Sequence, residues 1–464
     1  MNRSPVPGTA PPPNTVVWSS SFAVYLGTAG AAVGLGSIWR FPYLTGTSGG
    51  SAFILGFVLA CVLIACPLLA AEFSLGRSSR CSPPEAAGAV ATAQGFSSRW
   101  NTIGVLGSLA AFLIFSYYAV IAGWVLAYTW KCAAGVLSAA GPRHVAALWH
   151  AFRSDPLEVG AWHAAFVMMV ILISARGLQR GIEAANKYRA PALLVLLLIL
   201  VTYSLSMGDV RHGLSFAFAP HFSAVTSQVV LAAIGQAFYA TGVGQAMMIA
   251  YGAYVAPGVS LVRTSLIIIS SILLVSLMAT LMVFPLVFAY GMDPAQGPAL
   301  VFDVLARVFT EMPGGRFIGT LFFLLLTLAA LMPSIALLEP AIAWLLQRYR
   351  LTRACAAWAV GSAAWVLGLG SVLSFNQWSG WHPLAFIPVL ADKTFFNVLD
   401  YVSANVMLPI GAVLTSILVG WRLSSAFTAE ELVETTPAAR VACRWLLRYL
   451  CPLAIMAVFV ATLI

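Results

Sequence analysis

Apolar stretches long enough to cross a lipid bilayer recur along the whole chain, and they constrain its fold more than any other feature. A transmembrane helix needs about 20 consecutive apolar residues, whereas a barrel strand needs only about 9–11. The stretches lie near residues 18–44, 50–76, 101–130, 160–177, 188–208, 224–255, 261–290, 316–346, 353–373, 395–422 and 442–463. The sequence therefore predicts an all-α integral membrane protein with about eleven transmembrane helices.

The composition agrees with a membrane protein and excludes several other classes. Of the 464 residues, 61% are hydrophobic and only 8% are charged, whereas roughly a quarter of a soluble domain is charged. The seven cysteines show no C-x-x-C spacing, so neither a metal site nor a disulfide framework is predicted. No nucleophile, base and orienting group occur together near the motifs described below, so an enzyme is not expected. The net charge of +9 reflects membrane topology rather than a nucleic-acid partner.

The arrangement of charges predicts the orientation of the chain. Residues 1–17 are polar and proline-rich without the pattern of a signal peptide, and we expect a disordered cytoplasmic tail. With this tail inside, sixteen of the 24 Lys and Arg residues lie on inner segments, seven lie on outer segments and Arg40 lies within a span. This bias favours a cytoplasmic N-terminus. Residues 18–464 then form a single multi-pass domain in the cell's inner (plasma) membrane, surrounded by the lipid bilayer.

Two glycine-rich runs interrupt the first and the sixth spans near their middle. These are GAAVGLG at residues 30–36 and YATGVGQA at residues 239–246. Each glycine disfavours a helix by about 1 kcal/mol, and unwound backbone at membrane depth is tolerated only where it lines a cavity or binds something. Breaks five spans apart are typical of an inverted-repeat secondary transporter with a site at the midplane. The alternative for either run alone is close helix packing through small residues.

Four ionisable side chains remain within the spans, namely Arg40, Glu72, Glu339 and Asp400. A charge in hydrocarbon costs at least about 2.5–3.5 kcal/mol, so each is expected to face a cavity or a partner. For Arg40 and Asp400 we predict a gate or a solute path. Glu72 and Glu339 have an alternative role, in which they satisfy exposed backbone near helix ends.

The motifs of the chain resemble those of the neurotransmitter:sodium symporter family, in particular its bacterial amino-acid transporters. The resemblance begins with AVGLGSIWRFPYLTGTSGGSAF (32–53) and PLLAAEFSLGR (67–77). It continues through SYYAVIAGW (116–124), RGIEAANKYRAP (180–191), AIGQAFYATGVGQAMMIAYGAYV (233–255), SIALLEP (334–340) and LDYVSANVMLPIG (399–411). It implies the leucine-transporter fold, a 5+5 inverted repeat with broken helices 1 and 6. The repeats would cover about 18–208 and 224–422, followed by an extra helix at about 442–463.

The resemblance also implies a substrate site and a gate. The unwound backbone from Ala32 through Leu35 to Gly36 would receive a substrate carboxylate, because broken half-helices point N–H groups and a positive dipole end at an anion. Tyr118 would donate its hydroxyl to the same carboxylate. Tyr239 would be an aromatic lid, and Arg40 with Asp400 would form the outer charged gate, closing through water or a direct bond. Gly34 stands where monoamine transporters of the family carry aspartate, so the resemblance favours an amino acid over an amine.

Four further residues would shape the pocket for the substrate side chain, namely Ile114, Gly242, Gln245 and Leu337. Gly242 is expected to leave room, and Gln245 places a neutral hydrogen-bond donor and acceptor where an aromatic residue or Met is common in the family. This combination predicts a larger or polar substrate side chain. The alternative is that Gln245 only satisfies unwound backbone.

Both sodium sites that the resemblance implies lack most of their side-chain ligands here. At the first site only Ser37 keeps an oxygen, and at the second site both hydroxyls are lost. A hard cation needs several oxygens to replace its water, so we interpret both sites as vestigial. The resemblance places the sodium ligands, carbonyls or side chains, at nine positions. These are the positions of Gly30, Ala32, Val33, Ser37, Ala240, Ile272, Ala329, Met332 and Pro333.

Arg189 could replace the missing cation, because its side chain is positively charged. The resemblance implies an apolar residue at this position, so the arginine is a departure from the family. The alternative is that Arg189 extends to the cytoplasmic surface. We therefore predict a secondary active transporter of an amino acid or a similar carboxylate that works by alternating access. Transport would not need sodium and would proceed by proton coupling, exchange or facilitated transport. Glu72 or Glu339 would be the proton carrier. A conventional sodium symporter and a transport-inactive sensor are the alternatives. No cofactor is predicted.

Overall fold

The computed structural model of the chain describes residues 16–141, 144–220, 222–293, 300–432 and 436–461. Most of the predicted tail, residues 1–15, and the last two residues of the predicted final span lie outside this part. The elements of the described residues are all helical. This agrees with the all-α class that the apolar stretches predict.

Nine helices of the described part are long and apolar enough to cross a membrane, and a bent pair provides a tenth span. The pair comprises α1a (Ser21–Ala32) and α1b (Gly36–Thr47). The nine continuous helices are α2 (Ser51–Ser79), α3 (Ser98–Ala133), α4 (Pro156–Ala175), α5 (Leu178–Met207), α7 (Leu261–Ala289), α8 (Gly315–Tyr349), α9 (Arg353–Ser374), α10 (Phe395–Arg422) and α11 (Pro437–Ala461). The predicted sixth span consists of two shorter helices, α6a (Ser227–Thr241) and α6b (Met247–Ala253).

Both predicted helix breaks are present, and each has a local cause. The axes of α1a and α1b differ by 55°, and the extended backbone of Val33 ends α1a. Between α6a and α6b, Gly242 and Gly244 have φ angles of +68° and +85°. Only glycine adopts this left-handed backbone without strain, so the glycines predict where the helix stops. Ala246 also has a positive φ, +55°, and it completes the turn.

Two helices begin earlier than the hydropathy predicts. Helix α5 begins at Leu178 rather than near residue 188, and α11 begins at Pro437 rather than near residue 442. Apolar composition marks only the part of a helix that crosses hydrocarbon, whereas both helices continue beyond it through residues that include charged ones, namely Arg180, Glu183 and Lys187 in α5 and Arg440 in α11. In α11, Arg444 donates to the carbonyl of Leu423 at 2.9 Å.

Short helices lie in the connections between spans, and the sequence reading did not predict them. They are Pro83–Ala93, Val136–Ala140, Val145–Ser154, Val210–Phe218, Ala306–Glu311 and Ser425–Glu431. Short amphipathic segments lack the long apolar run on which the prediction depended.

The broken helices lie in the centre of the bundle. Helices α3 and α8 pack against each other, α1a packs against α5, α7 and α8, and α6b packs against α2 and α8. In the most apolar part of α8, 83% of the residues are buried within the protein, against 17% in α11. Helix α11 is therefore peripheral, and the unwound segments of α1 and α6 are shielded from lipid.

Candidate substrate and ion sites

A cavity of about 40 Å³ lies between the two helix breaks and helices α3 and α8. This volume is smaller than the roughly 300–1,000 Å³ of a typical small-molecule site, so the helices lie close together around the cavity. All nine residues that the sequence assigned to the substrate line it, namely Ala32, Leu35, Gly36, Ile114, Tyr118, Tyr239, Gly242, Gln245 and Leu337. The lining also includes Ala31, Gly34, Ala240, Met247 and Pro333.

The break in α1 presents backbone to this cavity. The N–H of Leu35 donates to the hydroxyl oxygen of Tyr118 at 3.3 Å, which fixes the Tyr118 ring and leaves its O–H free to point elsewhere. A Cβ atom at Gly34 would lie 2.7 Å from Cγ of Pro333 and 3.2 Å from the Tyr118 hydroxyl. A Cβ at Gly36 would lie 3.0 Å from the Tyr239 ring. A side chain at position 34, such as aspartate, would therefore collide with Pro333, and one at position 36 would crowd the Tyr239 ring.

The pocket around Gly242 differs from the prediction. A Cβ at Gly242 would lie 2.3 Å from Cε of Met247 and 3.2 Å from Oε1 of Gln245. The room that the glycine was expected to leave is thus partly filled by the Met247 side chain. Met247 could not be recognised as a pocket residue from the sequence, because its contact depends on how the chain turns at the α6 break.

The two predicted gate residues lie near each other without a direct bond, and a gate that closes through water or a direct bond stays a prediction. The guanidinium carbon of Arg40 lies 4.1 Å from the centre of the Tyr239 ring, in a cation–π contact. Both Arg40 and Asp400 are half-buried. Among the ion pairs and hydrogen bonds of the described residues, none joins Arg40 to Asp400. Arg40 therefore contacts the ring of Tyr239, which itself lines the cavity.

The chain is also held at the end of the bundle where α1a begins. Trp18 is buried, its backbone N–H donates to the carbonyl of Tyr254 at 3.1 Å, and its indole N–H donates to the carbonyl of Tyr251 at 3.3 Å. Ser19 donates its backbone N–H and its hydroxyl to the carboxylate of Glu183, at 3.0 and 2.6 Å. Glu183 was not singled out in the sequence, although it lies in the RGIEAANKYRAP motif.

Arg189 lies at the position of the second ion site rather than at the surface. Only 5% of Arg189 is exposed, and the alternative in which it extends to the cytoplasmic surface is wrong. Its Nη2 donates to the carbonyls of Val33 at 2.8 Å and Ala329 at 3.5 Å. Its Nε donates to the carbonyl of Leu328 at 2.7 Å. The resemblance assigns the carbonyls of Gly30, Val33 and Ala329 to the second sodium site, and those of Val33 and Ala329 therefore accept hydrogen bonds from a guanidinium.

The sequence explains why both of these carbonyls are available. Val33 lies in the break of α1, and the usual helical partner of the Ala329 carbonyl would be the N–H of residue 333, which is a proline and has none. Asn186 lies one turn before Arg189. Its side-chain oxygen accepts from Nη1 of Arg189 at 3.1 Å, and its side-chain nitrogen donates to the carbonyl of Leu26. Asn186 was not predicted, although a buried amide three residues before a buried Arg on one helix is a recognisable signal.

The remaining ion-site residues offer few oxygens to a cation. Ala240, Ile272 and Met332 are buried side chains without oxygen. Ser37 is buried, and its hydroxyl has no hydrogen-bond partner among the described residues. The Asn186 side chain packs against Gly30, where a Cβ would lie 2.6 Å from its amide. Of the side chains at the predicted ion-site positions, that of Ser37 is therefore the one that offers a cation an oxygen. In the described residues, no group of three or more His, Cys, Asp or Glu side chains could hold a metal.

The two buried glutamates have different partners. Glu72 accepts from the backbone N–H of Gly244 at 2.7 Å, so it satisfies unwound backbone in the α6 break, as the alternative role predicts. Glu339 forms two bonds with the guanidinium of Arg353 at 2.8 and 2.6 Å and accepts from the hydroxyl of Tyr254 at 2.8 Å. Glu339 therefore ties α8 to α9 and to the end of α6b.

A helical membrane bundle in which two broken helices line a central cavity has the architecture of a secondary transporter. The chain belongs to the sodium:neurotransmitter symporter family, whose model matches residues 16–147 and 155–464. This is a family of transporters, and the resemblance found in the sequence is confirmed.

Similar proteins cover almost the whole chain. An uncharacterized sodium-dependent transporter, YhdH of Bacillus subtilis (strain 168), is 34% identical over 447 residues, which cover 96% of this chain and 97% of that protein. An uncharacterized sodium-dependent transporter of Haemophilus influenzae is 31% identical over 455 residues, covering 96% of this chain and 98% of its own. The crystal structure of MhsT in complex with L-phenylalanine matches with a TM-score of 0.87 and 34% identity, covering 97% of this chain and 100% of that chain.

Proposed function

We propose that the chain transports a zwitterionic amino acid by alternating access, and that Arg189 supplies a fixed positive charge in place of the family's sodium. The observation that carries the proposal is the position of the Arg189 guanidinium. It donates to the carbonyls of Val33, Leu328 and Ala329, which belong to the α1 break and to α8. A cation that bridges these two helices stabilises the closed arrangement around the cavity.

The substrate carboxylate is bound in this proposal by the α1 break. The backbone of residues 34–36 faces the cavity beside the Tyr118 hydroxyl, and the N-terminal end of α1b contributes a favourable dipole. Gly34 leaves no room for an acidic side chain, so the negative charge comes from the substrate. The complex of MhsT with L-phenylalanine supports an amino acid as the substrate class.

The fixed charge has a consequence for coupling. Arg189 is covalently attached and cannot cross the membrane, whereas a bound sodium ion would cross with the substrate. A zwitterion then moves without net charge, by facilitated transport or by exchange. We place the protein in the plasma membrane with a cytoplasmic N-terminus, on the basis of the Lys and Arg distribution.

A conventional sodium:amino-acid symporter is the second candidate, because the similar proteins of Bacillus subtilis and Haemophilus influenzae are called sodium-dependent. In that case sodium would bind through carbonyls and water at the first site, where Ser37 is the remaining side-chain oxygen.

Uptake by purified protein in proteoliposomes separates these candidates. Uptake of a radiolabelled mixture of L-amino acids is measured in sodium chloride and in choline chloride, with protein-free liposomes as the control. Equal uptake in the two media is the expected result. A loss of most uptake in choline would support the conventional symporter, and absence of uptake in both media would contradict transport of amino acids.

A further inference from the structure

The cavity lining includes a carboxamide side chain, that of Gln245, which has no hydrogen-bond partner among the described residues. Gln245 lines the cavity and is 5% exposed. Its backbone N–H donates to the carbonyl of Gly242 at 3.2 Å. Its side-chain amide makes no hydrogen bond with any of the residues that the structure describes, and because its nitrogen and oxygen are not among the fully buried unpaired atoms, they face the space of the cavity. The alternative in which Gln245 satisfies unwound backbone with its side chain is therefore wrong.

An unpaired amide is unusual in such a position. Buried polar side chains are nearly always hydrogen-bonded, and an exception calls for an explanation. The N–H groups and the carbonyl oxygen of a carboxamide are a donor and an acceptor held in one plane. A ligand that carried only one of these functions would satisfy half of the group.

The other residues that line the cavity limit the kinds of substrate side chain that can bind there. None of the residues that line the cavity is Asp, Glu, Lys, Arg or His, so a charged substrate side chain would be desolvated without an opposite charge. Ile114, Met247, Pro333 and Leu337 supply apolar walls. Such walls suit the methylene groups of a side chain whose polar end is neutral.

We infer that the transporter selects amino acids with a neutral carboxamide side chain, L-glutamine and L-asparagine, through paired hydrogen bonds with the Gln245 amide. The inference rests on the proposed function, in which the α1 break binds the substrate carboxylate. It adds the chemistry that distinguishes one amino acid from another in the same cavity.

Two pairs of substrates with nearly equal shape test the inference. L-Leucine has the shape of L-asparagine, and L-homoleucine has the shape of L-glutamine, but neither has a polar side chain. Binding to the purified protein is measured by isothermal titration, and uptake of labelled L-glutamine is measured in proteoliposomes with each amino acid as competitor. We expect the amides to bind at least about tenfold more tightly than their apolar counterparts, because the counterparts leave Gln245 unpaired.

The variant Gln245→Met removes the amide with little change in length. We expect it to lose the preference for the amides and to favour homoleucine over glutamine. Its unfolding temperature without ligand should not fall, because no hydrogen bond of the described protein is lost. The matched control is Gln228→Met, the same substitution at an exposed position of α6a, which should retain the preference of the wild type.

Two results would overturn the inference while leaving the proposed function intact. One is equal or tighter binding of leucine and homoleucine to the wild type. The other is an unchanged preference in Gln245→Met. If no amino acid of either series bound to the wild type or was transported, the proposed function itself would be contradicted, and the inference with it.

Discussion

Replacing Arg189 with alanine removes a guanidinium that donates to two main-chain acceptors in the centre of the bundle. The Val33 carbonyl lies in the α1 break, and the Ala329 carbonyl has lost its usual partner to Pro333. A buried acceptor that is left unpaired costs about 1–3 kcal/mol. Two of them cost roughly 2–6 kcal/mol. Since about 1.4 kcal/mol corresponds to a factor of ten in an equilibrium constant, the lower end corresponds to about a 30-fold change in that constant.

This cost applies to the arrangement in which α1, α5 and α8 are joined. We therefore expect Arg189→Ala to reduce exchange of a labelled amino acid in choline medium at least about 30-fold. The control is Tyr188→Ala, because the neighbouring Tyr188 is 75% exposed and should tolerate the change. Exchange by Arg189→Ala at the wild-type rate in choline would refute the reasoning.

A second variant keeps the test informative if Arg189→Ala folds poorly. In Arg189→Ala combined with Met332→Thr and Pro333→Ser, the fixed charge is removed and the two hydroxyls that the family places at the second sodium site are restored. We expect uptake by this variant to require sodium, whereas uptake by the wild type does not. Sodium-independent uptake by the triple variant would contradict the role proposed for Arg189.

Three further predictions concern the carboxylate site and the charge balance. Gly34→Ala should abolish the rise in unfolding temperature that L-glutamine causes, because the new Cβ would lie 2.7 Å from Cγ of Pro333. The control Gly235→Ala should show the same rise as the wild type, because a Cβ at this position meets nothing within 4 Å. Tyr118→Phe removes the hydroxyl that accepts from the N–H of Leu35, and it should weaken amino-acid binding about tenfold in isothermal titration. Unchanged affinity would exclude a hydrogen bond from this hydroxyl to the substrate carboxylate. Uptake in proteoliposomes should be the same with and without a valinomycin-induced potassium potential, because a zwitterion carries no net charge, and a potential-dependent rate would argue for a co-transported ion.

The parts of the site that the sequence predicted are those determined by local backbone chemistry. Glycine runs mark where a membrane helix must stop, and the resemblance then assigned the nine cavity residues by position. These features depend on the immediate sequence, since glycine adopts a left-handed turn such as that at Gly242 without the steric cost of a Cβ. The arrangement of the cavity lining in space agrees with that assignment.

Features that depend on the rotation of a helix or on a rotamer could not be predicted. Sequence alone favours an Arg189 that extends to the membrane surface, because of the bias of Lys and Arg toward the cytoplasm. Its inward position is determined by acceptors on α1 and α8 that lie far away in the chain. Contacts of the same kind place Met247 beside Gly242 and Arg40 over the ring of Tyr239. Glu183, which binds Ser19, had no periodic or motif signal that distinguished it from an ordinary charge at a helix start.

The most direct test of the central claim is the movement of sodium itself. Purified protein in proteoliposomes is supplied with ²²Na⁺, and the flux is measured with and without L-glutamine, together with the uptake of labelled L-glutamine under the same conditions. If Arg189 holds the place of the cation, substrate uptake proceeds while the ²²Na⁺ flux stays at the level of protein-free liposomes. A substrate-stimulated ²²Na⁺ flux in fixed proportion to amino-acid uptake would contradict the account.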